Sequence, residues 1–281
     1  MAQFLTRFAP SPTGYLHLGH AASAWHVWQA AQHNQGRVTL RIEDIDQTRC
    51  KAVYSEAIIE DLHWLGFNWS GPIRHQSQHM ADYQAIINQL KARGLIYRCF
   101  KTRKEIMVES AHAPHGPVPA YTGTPLPAPE ENKRLKREEA YAWRLSLQAA
   151  REALGQAFED LSYWETGSGQ ALKVKADPLP SGDVILARKE TPTSYHLATC
   201  HDDALAGITH IVRGEDLRAS TPVHVLLQAL MKWPTPIYHH HALLLDETGK
   251  RFAKRDQSLT LRALRERGYT PEEVFRRAKL S

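Results

Sequence analysis

The chain has 281 residues, enough for one large α/β domain or for one domain that carries a sizeable insertion, and its hydrophobic (42%) and charged (23%) fractions are ordinary for a soluble globular protein. Its net charge of +5 permits a polyanionic partner without requiring one. No apolar run approaches the roughly 20 residues that span a bilayer, no signal peptide is evident, and the three cysteines are widely spaced, so we expect a cytoplasmic protein without a membrane-spanning helix.

The N-terminal third of the chain alternates predicted strands with predicted helices. A short apolar strand at residues 4–8 ends in a Pro- and Gly-containing turn, and a helix without proline follows at 18–32. A second strand is predicted at 37–44, and an amphipathic helix at 53–65. The order strand, helix, strand, helix favours a parallel sheet with right-handed crossovers.

The remaining sequence divides into an insertion, a second half of the sheet domain and a helical end. Residues 97–182 are predicted to be an α+β insertion, because prolines crowd part of it, and it separates residues 1–96 from 183–245. The second half begins with three runs predicted to be β-rich, GDVILARK, TSYHLATC and GITHIVRG, followed by a helix and a strand. Residues 246–281 are predicted to form a basic loop and two short helices.

The first candidate motif is RFAPSPTGYLHLGH, which places His17 and His20 around Gly19 where a strand gives way to a helix. The positive end of a helix suits phosphate. Gly19 would let a phosphate or an adenine ring approach the backbone, and both imidazoles are able to donate hydrogen bonds. The alternative is a chance tetrapeptide in a chain with 16 histidines.

Two further motifs follow predicted strands. RIEDID sets Glu43 and Asp44 at the carboxyl end of the second strand, where ligands of open α/β sheets bind. ITHIVRGED places Arg213 at the end of another strand, where a guanidinium is able to grip a carboxylate with two hydrogen bonds. A structural salt bridge from Arg213 to Glu215 or Asp216 is the alternative.

The last motif, TGKRFAKRD, is a cluster of basic residues in a predicted loop after a strand. Its cations are Lys250, Arg251, Lys254 and Arg255. Lysines in such a loop would stabilise charge on a departing pyrophosphate. A solvated basic turn is the alternative.

In this order the motifs resemble the catalytic domain of the class I aminoacyl-tRNA synthetases, specifically the glutamyl branch. RFAPSPTGYLHLGH resembles the first signature of that branch, RIEDID its Arg-Ile-Glu-Asp-Thr-Asp element, and LLLDETGKRFAKRD its second signature. PTSYHLATCHDDALAGITHIVRGEDLRASTP resembles its substrate-pocket segment, so the likeness covers nearly the whole chain. It implies a Rossmann-like α/β fold that binds L-glutamate and ATP, with Mg²⁺ accompanying the ATP.

The resemblance also implies a glutamate pocket. In it Arg7 and Arg213 hold the side-chain carboxylate of the substrate, Glu43 accepts the α-amino group, and Ser11 and Tyr195 complete the site. Two guanidiniums around one carboxylate would favour glutamate over neutral glutamine, which leaves buried donors unmatched.

For ATP, the resemblance implies contacts from His17, Gly19 and His20, and a contact from Lys254 to the pyrophosphate as it forms. None of these residues needs to act as a general base, because the substrate carboxylate is already ionised and attacks the α-phosphorus in line. The second signature departs from the family pattern, with Arg251 for its first lysine and Ala253 for its serine. Since Lys254 is retained, we expect activity to survive.

The chain also stops soon after the second signature, so we expect no anticodon-binding domain. That length resembles the short paralogues of the family, which activate glutamate without tRNA and attach it to the queuosine base in the anticodon loop of tRNA(Asp). The anticodon stem-loop of tRNA(Asp) is then the expected partner, and a monomer the expected state. Three alternatives stay open: a short enzyme that charges a tRNA 3′ end, a non-catalytic RNA-binding paralogue, and an unrelated adenylyltransferase.

The family often carries a zinc site in the insertion. The matching positions here are Cys99, Lys101, Tyr121 and Pro125. Structural zinc takes four thiolate or imidazole ligands, whereas Lys101 brings a cation and Pro125 has no ligand atom. We therefore expect that zinc has been lost, with His112 and His115 as the alternative ligands beside Cys99.

Overall fold

The structure is a computed structural model that describes residues 3–102, 104–106, 120–189, 191–244 and 260–280. Its strands are β1 (Leu5–Phe8), β2 (Arg37–Ile42), β3 (Arg74–His75), β4 (Ile96–Cys99), β5 (Ala142–Leu145), β6 (Ser162–Glu165), β7 (Leu172–Lys175), β8 (Ile185–Arg188), β9 (His210–Gly214) and β10 (Ile237–His241). Its helices are α1 (Leu18–His33), α2 (Ala52–Trp64), α3 (Met80–Ala92), α4 (Ala128–Lys136), α5 (Leu147–Leu154), α6 (Gln156–Glu159), α7 (Tyr195–Leu205), α8 (Thr221–Met231), α9 (Leu261–Glu266) and α10 (Pro271–Arg277).

The first sheet contains β1, β2 and β3 in that order, all parallel. The helices α1 and α2 make the two crossovers, which confirms the parallel α/β arrangement predicted from the sequence. The buried face of α1 consists largely of small side chains such as Ala21 and Ala24, and it packs in one cluster with Val38, Leu40 and Ile42 of β2. Alanines at these positions let the helix lie close to the sheet.

The second sheet has the strand order β7-β6-β10-β9, in which β10 is parallel to both β9 and β6. Thr209, immediately before β9, joins it to the first sheet. The Thr209 backbone N–H donates to the Leu5 carbonyl at 2.9 Å, and its hydroxyl accepts from the Leu5 N–H at 2.9 Å. The edges of the two sheets therefore lie side by side. The carboxyl ends of their parallel strands are thereby brought together, which is where ligands of such sheets bind.

A third, antiparallel sheet contains β4, β5 and β8. Its strands extend beyond both limits of the predicted insertion, because β4 begins at Ile96 and β8 lies after residue 182. The strands β6 and β7, which fall inside 97–182, belong to the second sheet. The sheets therefore do not begin and end at residues 97 and 183, and the division of the chain at these residues remains a prediction from the sequence.

The prediction that TSYHLATC is β-rich is wrong, because this run begins helix α7. The Ser194 side chain accepts a hydrogen bond from the Leu197 N–H and caps the helix. Leu197, Ala198 and Cys200 are buried on one face, so tertiary packing outweighs the strand preference of the Thr and Tyr side chains. Among the helices of the described segments, none has the length and apolar character needed to cross a membrane.

Candidate active site

A cleft of about 780 Å³ opens where β1, β2, β9 and β10 end. The residues that the family resemblance assigns to glutamate or ATP, where the structure describes them, all line it: Arg7, Ser11, His17, Gly19, His20, Glu43, Tyr195 and Arg213. Lys254, with its neighbours Lys250, Arg251, Ala253 and Arg255, lies outside the described residues. The carboxyl edge of parallel strands is the usual ligand site of such sheets, which is the physical reason that distant motifs meet here.

At one end of the cleft, the two histidines cap helix α1. The Nδ1 atom of His17 accepts from the Gly19 backbone N–H at 3.1 Å, and the Nδ1 atom of His20 accepts from the His17 N–H at 3.2 Å. A neutral imidazole that accepts through Nδ1 carries its hydrogen on Nε2, so each ring has an Nε2–H donor. From the sequence, the positive end of this helix was expected to suit phosphate. In the structure, two backbone N–H groups at this helix end, those of His17 and Gly19, already donate to the imidazoles.

At the other end, Arg7 and Arg41 converge on one buried carboxylate, that of Asp203. The Asp203 Oδ1 atom lies 3.0 Å from Arg7 Nε and 2.6 Å from Arg41 Nη1. Arg41 Nη2 also donates to Glu43 Oε1 at 3.1 Å, and the Thr199 hydroxyl donates to the same oxygen at 3.1 Å. Burial alone would lower the pKa of Arg41, but the carboxylates of Asp203 and Glu43 raise it above its ordinary value. Arg7 and Glu43 are thus held in place by Asp203, Arg41 and Thr199, which are not among the residues predicted from the sequence.

Arg213 is buried, with 4% of its surface exposed, and its nearest partners are uncharged. Its Nε donates to His240 Nε2 at 3.1 Å, its Nη2 donates to the Thr221 hydroxyl at 2.6 Å, and its Nη1 lies 3.4 Å from the Tyr195 hydroxyl. Within the described part of the chain, no carboxylate forms an ion pair with Arg213. Glu215, one of the acids proposed as a structural partner, is bound by Arg218 instead.

The uncharged surroundings of Arg213 are maintained by burial. Burial raises the pKa of Tyr195 to about 12. Burial, with Arg213 close by, lowers the pKa of His196 to about 4 and that of His224 well below its ordinary value. The His224 Nδ1 atom lies 3.3 Å from Arg213 Nη1, so a neutral ring there faces the guanidinium. A cationic side chain without a matching anion leaves this end of the cleft suited to a carboxylate ligand.

The second-signature segment begins and ends beside the cleft. Leu244, the last described residue before it, lines the cleft. Thr260, the first described residue after it, pairs with His17 in an antiparallel bridge, and the neighbouring Leu261 N–H donates to the Leu16 carbonyl at 2.8 Å. The described residues on either side of the segment therefore lie beside the cleft, and those after it contact the chain next to His17.

The four positions that match the family zinc site lie within the described residues and include one thiol, that of Cys99. Cys99 Sγ lies 3.5 Å from the Tyr121 hydroxyl, and the Lys101 ammonium lies 5.7 Å from the centre of the Tyr121 ring. Pro125 offers no ligand atom. Among the residues that the structure describes, no three acidic, histidine or cysteine side chains group as metal ligands, and His112 and His115 lie outside those residues. The absence of zinc remains a prediction.

A buried carboxylate, that of Asp183, binds several segments of the predicted insertion. Its Oδ2 accepts from the Tyr97 hydroxyl at 2.8 Å and from the Gly123 N–H at 2.8 Å, and its Oδ1 accepts from the Leu147 N–H at 2.9 Å. The Asp183 N–H donates to the Tyr121 carbonyl at 2.7 Å. One side chain thus links three separate segments of the chain.

Comparison with known proteins agrees with this arrangement. Residues 3–280 match the family model of the class I tRNA synthetases (E and Q), catalytic domain. The glutamyl-Q tRNA(Asp) synthetase of Rhodobacter capsulatus is 40% identical over 277 residues, with 97% of this chain and 98% of that protein covered. The glutamate–tRNA ligase of Aquifex aeolicus is 37% identical, with 98% of this chain but only 56% of the ligase covered.

Solved structures give the same result. The crystal structure of a glutamate tRNA ligase from Elizabethkingia meningosepticum in complex with its amino acid has a TM-score of 0.71 and 30% sequence identity, and the match covers 91% of this chain and 52% of that one. The chain therefore spans about half the length of the glutamate–tRNA ligases that it matches. From the fold, the cleft and these matches, the chain belongs to the class I tRNA synthetase family for glutamate and glutamine, within its catalytic domain.

Proposed function

We propose that this protein uses ATP to convert L-glutamate into glutamyl-adenylate without tRNA, and then transfers the glutamate to the queuosine base in the anticodon loop of tRNA(Asp). The observation that carries the proposal is the buried Arg213 guanidinium, which has no carboxylate partner among the described residues and opens on the same cleft as Arg7. Relatives of similar length, including that of Rhodobacter capsulatus, are named glutamyl-Q tRNA(Asp) synthetase, which supports the choice of acceptor.

In this proposal, Arg7 and Arg213 bind the side-chain carboxylate of glutamate. Asp203 already neutralises much of the charge of Arg7, so Arg213 supplies most of the attraction. Glu43 accepts the α-amino group, and Ser11 and Tyr195 close the pocket. Glutamine would leave the buried N–H groups of Arg213 without an anionic acceptor, so the pocket favours the acid over the amide.

On the nucleotide side, the Nε2–H groups of His17 and His20 donate to phosphate oxygens, and Gly19 lets the nucleotide approach the helix end. The α-carboxylate of glutamate attacks the α-phosphorus in line, so positioning and charge stabilisation suffice. Since the described residues form no cluster of metal ligands, Mg²⁺ would be held mainly by the phosphates and would neutralise their charge. Lys254 would stabilise the departing pyrophosphate.

Activation is tested by glutamate-dependent exchange of pyrophosphate into ATP with purified protein alone. Exchange without RNA is expected, and Lys254→Ala is expected to abolish it. A strict requirement for added tRNA would contradict RNA-independent activation and favour an enzyme that charges a tRNA 3′ end.

The acceptor is tested by transfer of labelled glutamate to tRNA(Asp) that either contains or lacks queuosine. Only the queuosine-containing tRNA is expected to be labelled, and the label should survive removal of the 3′ adenosine. Equal labelling of both tRNAs, or a label on the 3′ adenosine, would refute the assignment of the acceptor even if activation is observed.

A further inference from the structure

Glu165, at the end of β6, is a buried carboxylate with only 3% of its surface exposed, and the function proposed above does not use it. Its Oε1 atom accepts two backbone hydrogen bonds, from Gly167 N–H at 2.8 Å and from His240 N–H at 3.1 Å. Its Oε2 atom contacts His240 Nδ1 and accepts from Arg218 Nη1 at 3.2 Å. The two backbone N–H groups and Arg218 are able only to donate, so the carboxylate accepts from them through both of its oxygens.

His240 lies between Glu165 and Arg213 and therefore adopts one tautomer. Because the carboxylate accepts, the histidine hydrogen is on Nδ1, and the unprotonated Nε2 accepts from Arg213 Nε at 3.1 Å. Burial lowers the pKa of His240, which keeps the ring neutral. Burial alone would raise the pKa of Glu165, but the hydrogen bonds from His240 and Gly167 lower it below its ordinary value.

This chain of contacts orients Arg213 without neutralising it. A carboxylate in direct contact with the guanidinium would occupy its hydrogen-bonding fork and compete with an anionic ligand. Here the carboxylate is one imidazole away, and the Arg213 contacts in the described residues are to neutral acceptors, including the Thr221 hydroxyl at 2.6 Å. The positive charge of the guanidinium is therefore not neutralised by this contact, while the hydrogen bond to His240 fixes the position of its Nε.

We propose that Glu165 is a positioning residue for the glutamate substrate, which sets the tautomer of His240 and thereby holds the guanidinium of Arg213 ready for the substrate carboxylate. This inference rests on the proposed function, because it assigns Arg213 to the substrate.

The substitution Glu165→Gln tests the proposal with little change in shape. Two backbone N–H groups point at the Oε1 position, so the amide oxygen must take that position and the NH₂ group must face His240 Nδ1. His240 Nδ1 then becomes an acceptor and the hydrogen moves to Nε2, where it opposes the Nε–H of Arg213. The same NH₂ group would face Arg218 Nη1, so Glu165→Gln changes the tautomer of His240 and also removes the acceptor of Arg218.

The measurement is pyrophosphate exchange with glutamate and ATP varied separately. For Glu165→Gln the KM for glutamate should rise by roughly 10- to 100-fold, the equivalent of one lost hydrogen bond to a charged group, while the KM for ATP is unchanged. The control is Arg218→Ala, which removes the other side-chain partner of the same oxygen and should leave both KM values near those of the wild type. Wild-type KM values in Glu165→Gln, or an equal rise in both accompanied by a lower melting temperature, would overturn the inference.

A second measurement uses the unaltered protein, in case the variant does not fold. Nitrogen NMR of the histidine side chains, with the His240 signal identified by its loss in His240→Gln, should find Nδ1 protonated and Nε2 unprotonated. The opposite tautomer, or a doubly protonated ring, would overturn the inference. If the wild type gives no glutamate-dependent exchange, the proposed function fails, and this measurement still decides whether His240 has the tautomer that its contacts with Glu165 and Arg213 require.

Discussion

Replacing Arg213 with alanine removes the guanidinium that is expected to bind the substrate carboxylate. Because only 4% of Arg213 is exposed, water does not readily replace the lost hydrogen bonds. Removing one partner of a buried, hydrogen-bonded charge pair costs about 2 to 5 kcal/mol. At about 1.36 kcal/mol for each factor of ten, kcat/KM for glutamate should fall by roughly 30- to 5,000-fold.

The assay is tRNA-free pyrophosphate exchange, in which glutamate and ATP are titrated separately. The loss should be in the use of glutamate, while the KM for ATP stays within about twofold of the wild type. Arg213→Lys should be intermediate, because the ammonium keeps the charge but loses the planar fork that contacts His240 and Thr221. The control is Arg151→Ala, which removes one positive charge from an exposed ion pair with Glu159 and should leave exchange unchanged.

The reasoning would be refuted if Arg213→Ala lowered kcat/KM for glutamate by less than about fivefold, below the smallest loss expected for a buried charge pair. A fall of the same size in Arg151→Ala would also refute it, because the effect would then follow net charge and not the cleft. Denaturant unfolding of each variant separates these outcomes from a general loss of stability.

Three further outcomes are expected. Asp183→Asn should lower the free energy of unfolding by about 1 to 3 kcal/mol, because the buried N–H and O–H groups that bind this carboxylate lose an acceptor, and an unchanged urea midpoint would contradict this. Burial, partly offset by Arg265, raises the pKa of Asp61 from 3.8 to about 7, so its protonation stabilises the fold below pH about 4 and this contribution is lost as the pH rises through about 7. Asp61→Asn, which cannot ionise, should therefore have a flatter profile of melting temperature against pH over that window, and parallel profiles would count against the assignment. Protein purified without a His-tag should contain no stoichiometric zinc by elemental analysis, and zinc that disappears in Cys99→Ser would reverse that prediction.

Much of the fold follows from local signals in the sequence. The period of apolar residues and the Pro- and Gly-containing turns predict β1, α1, β2 and α2 within a few residues of their observed limits, because these patterns depend on neighbours along the chain. Several residues that line the cleft were also identifiable, since His17, Glu43 and Arg213 stand at the ends of predicted strands or the start of a helix, whereas Arg7 was identified through the family resemblance. Helix α7 was not, because its tyrosine and threonine favour strands and only its packing against the core favours the helix.

The partners of these residues were decided by the tertiary structure alone. Asp203, which binds Arg7, is 196 positions away in the chain, and Glu165 is 75 positions from His240. A carboxylate in the sequence carries no mark of which distant cation or imidazole it will meet, and the strength and direction of the contact depend on burial that only the packed sheets create. The sequence therefore determined which groups line the cleft, whereas the packing of helix α7 and the two sheets determined that Asp203 pairs with Arg7 and that Arg213 has no carboxylate partner among the described residues.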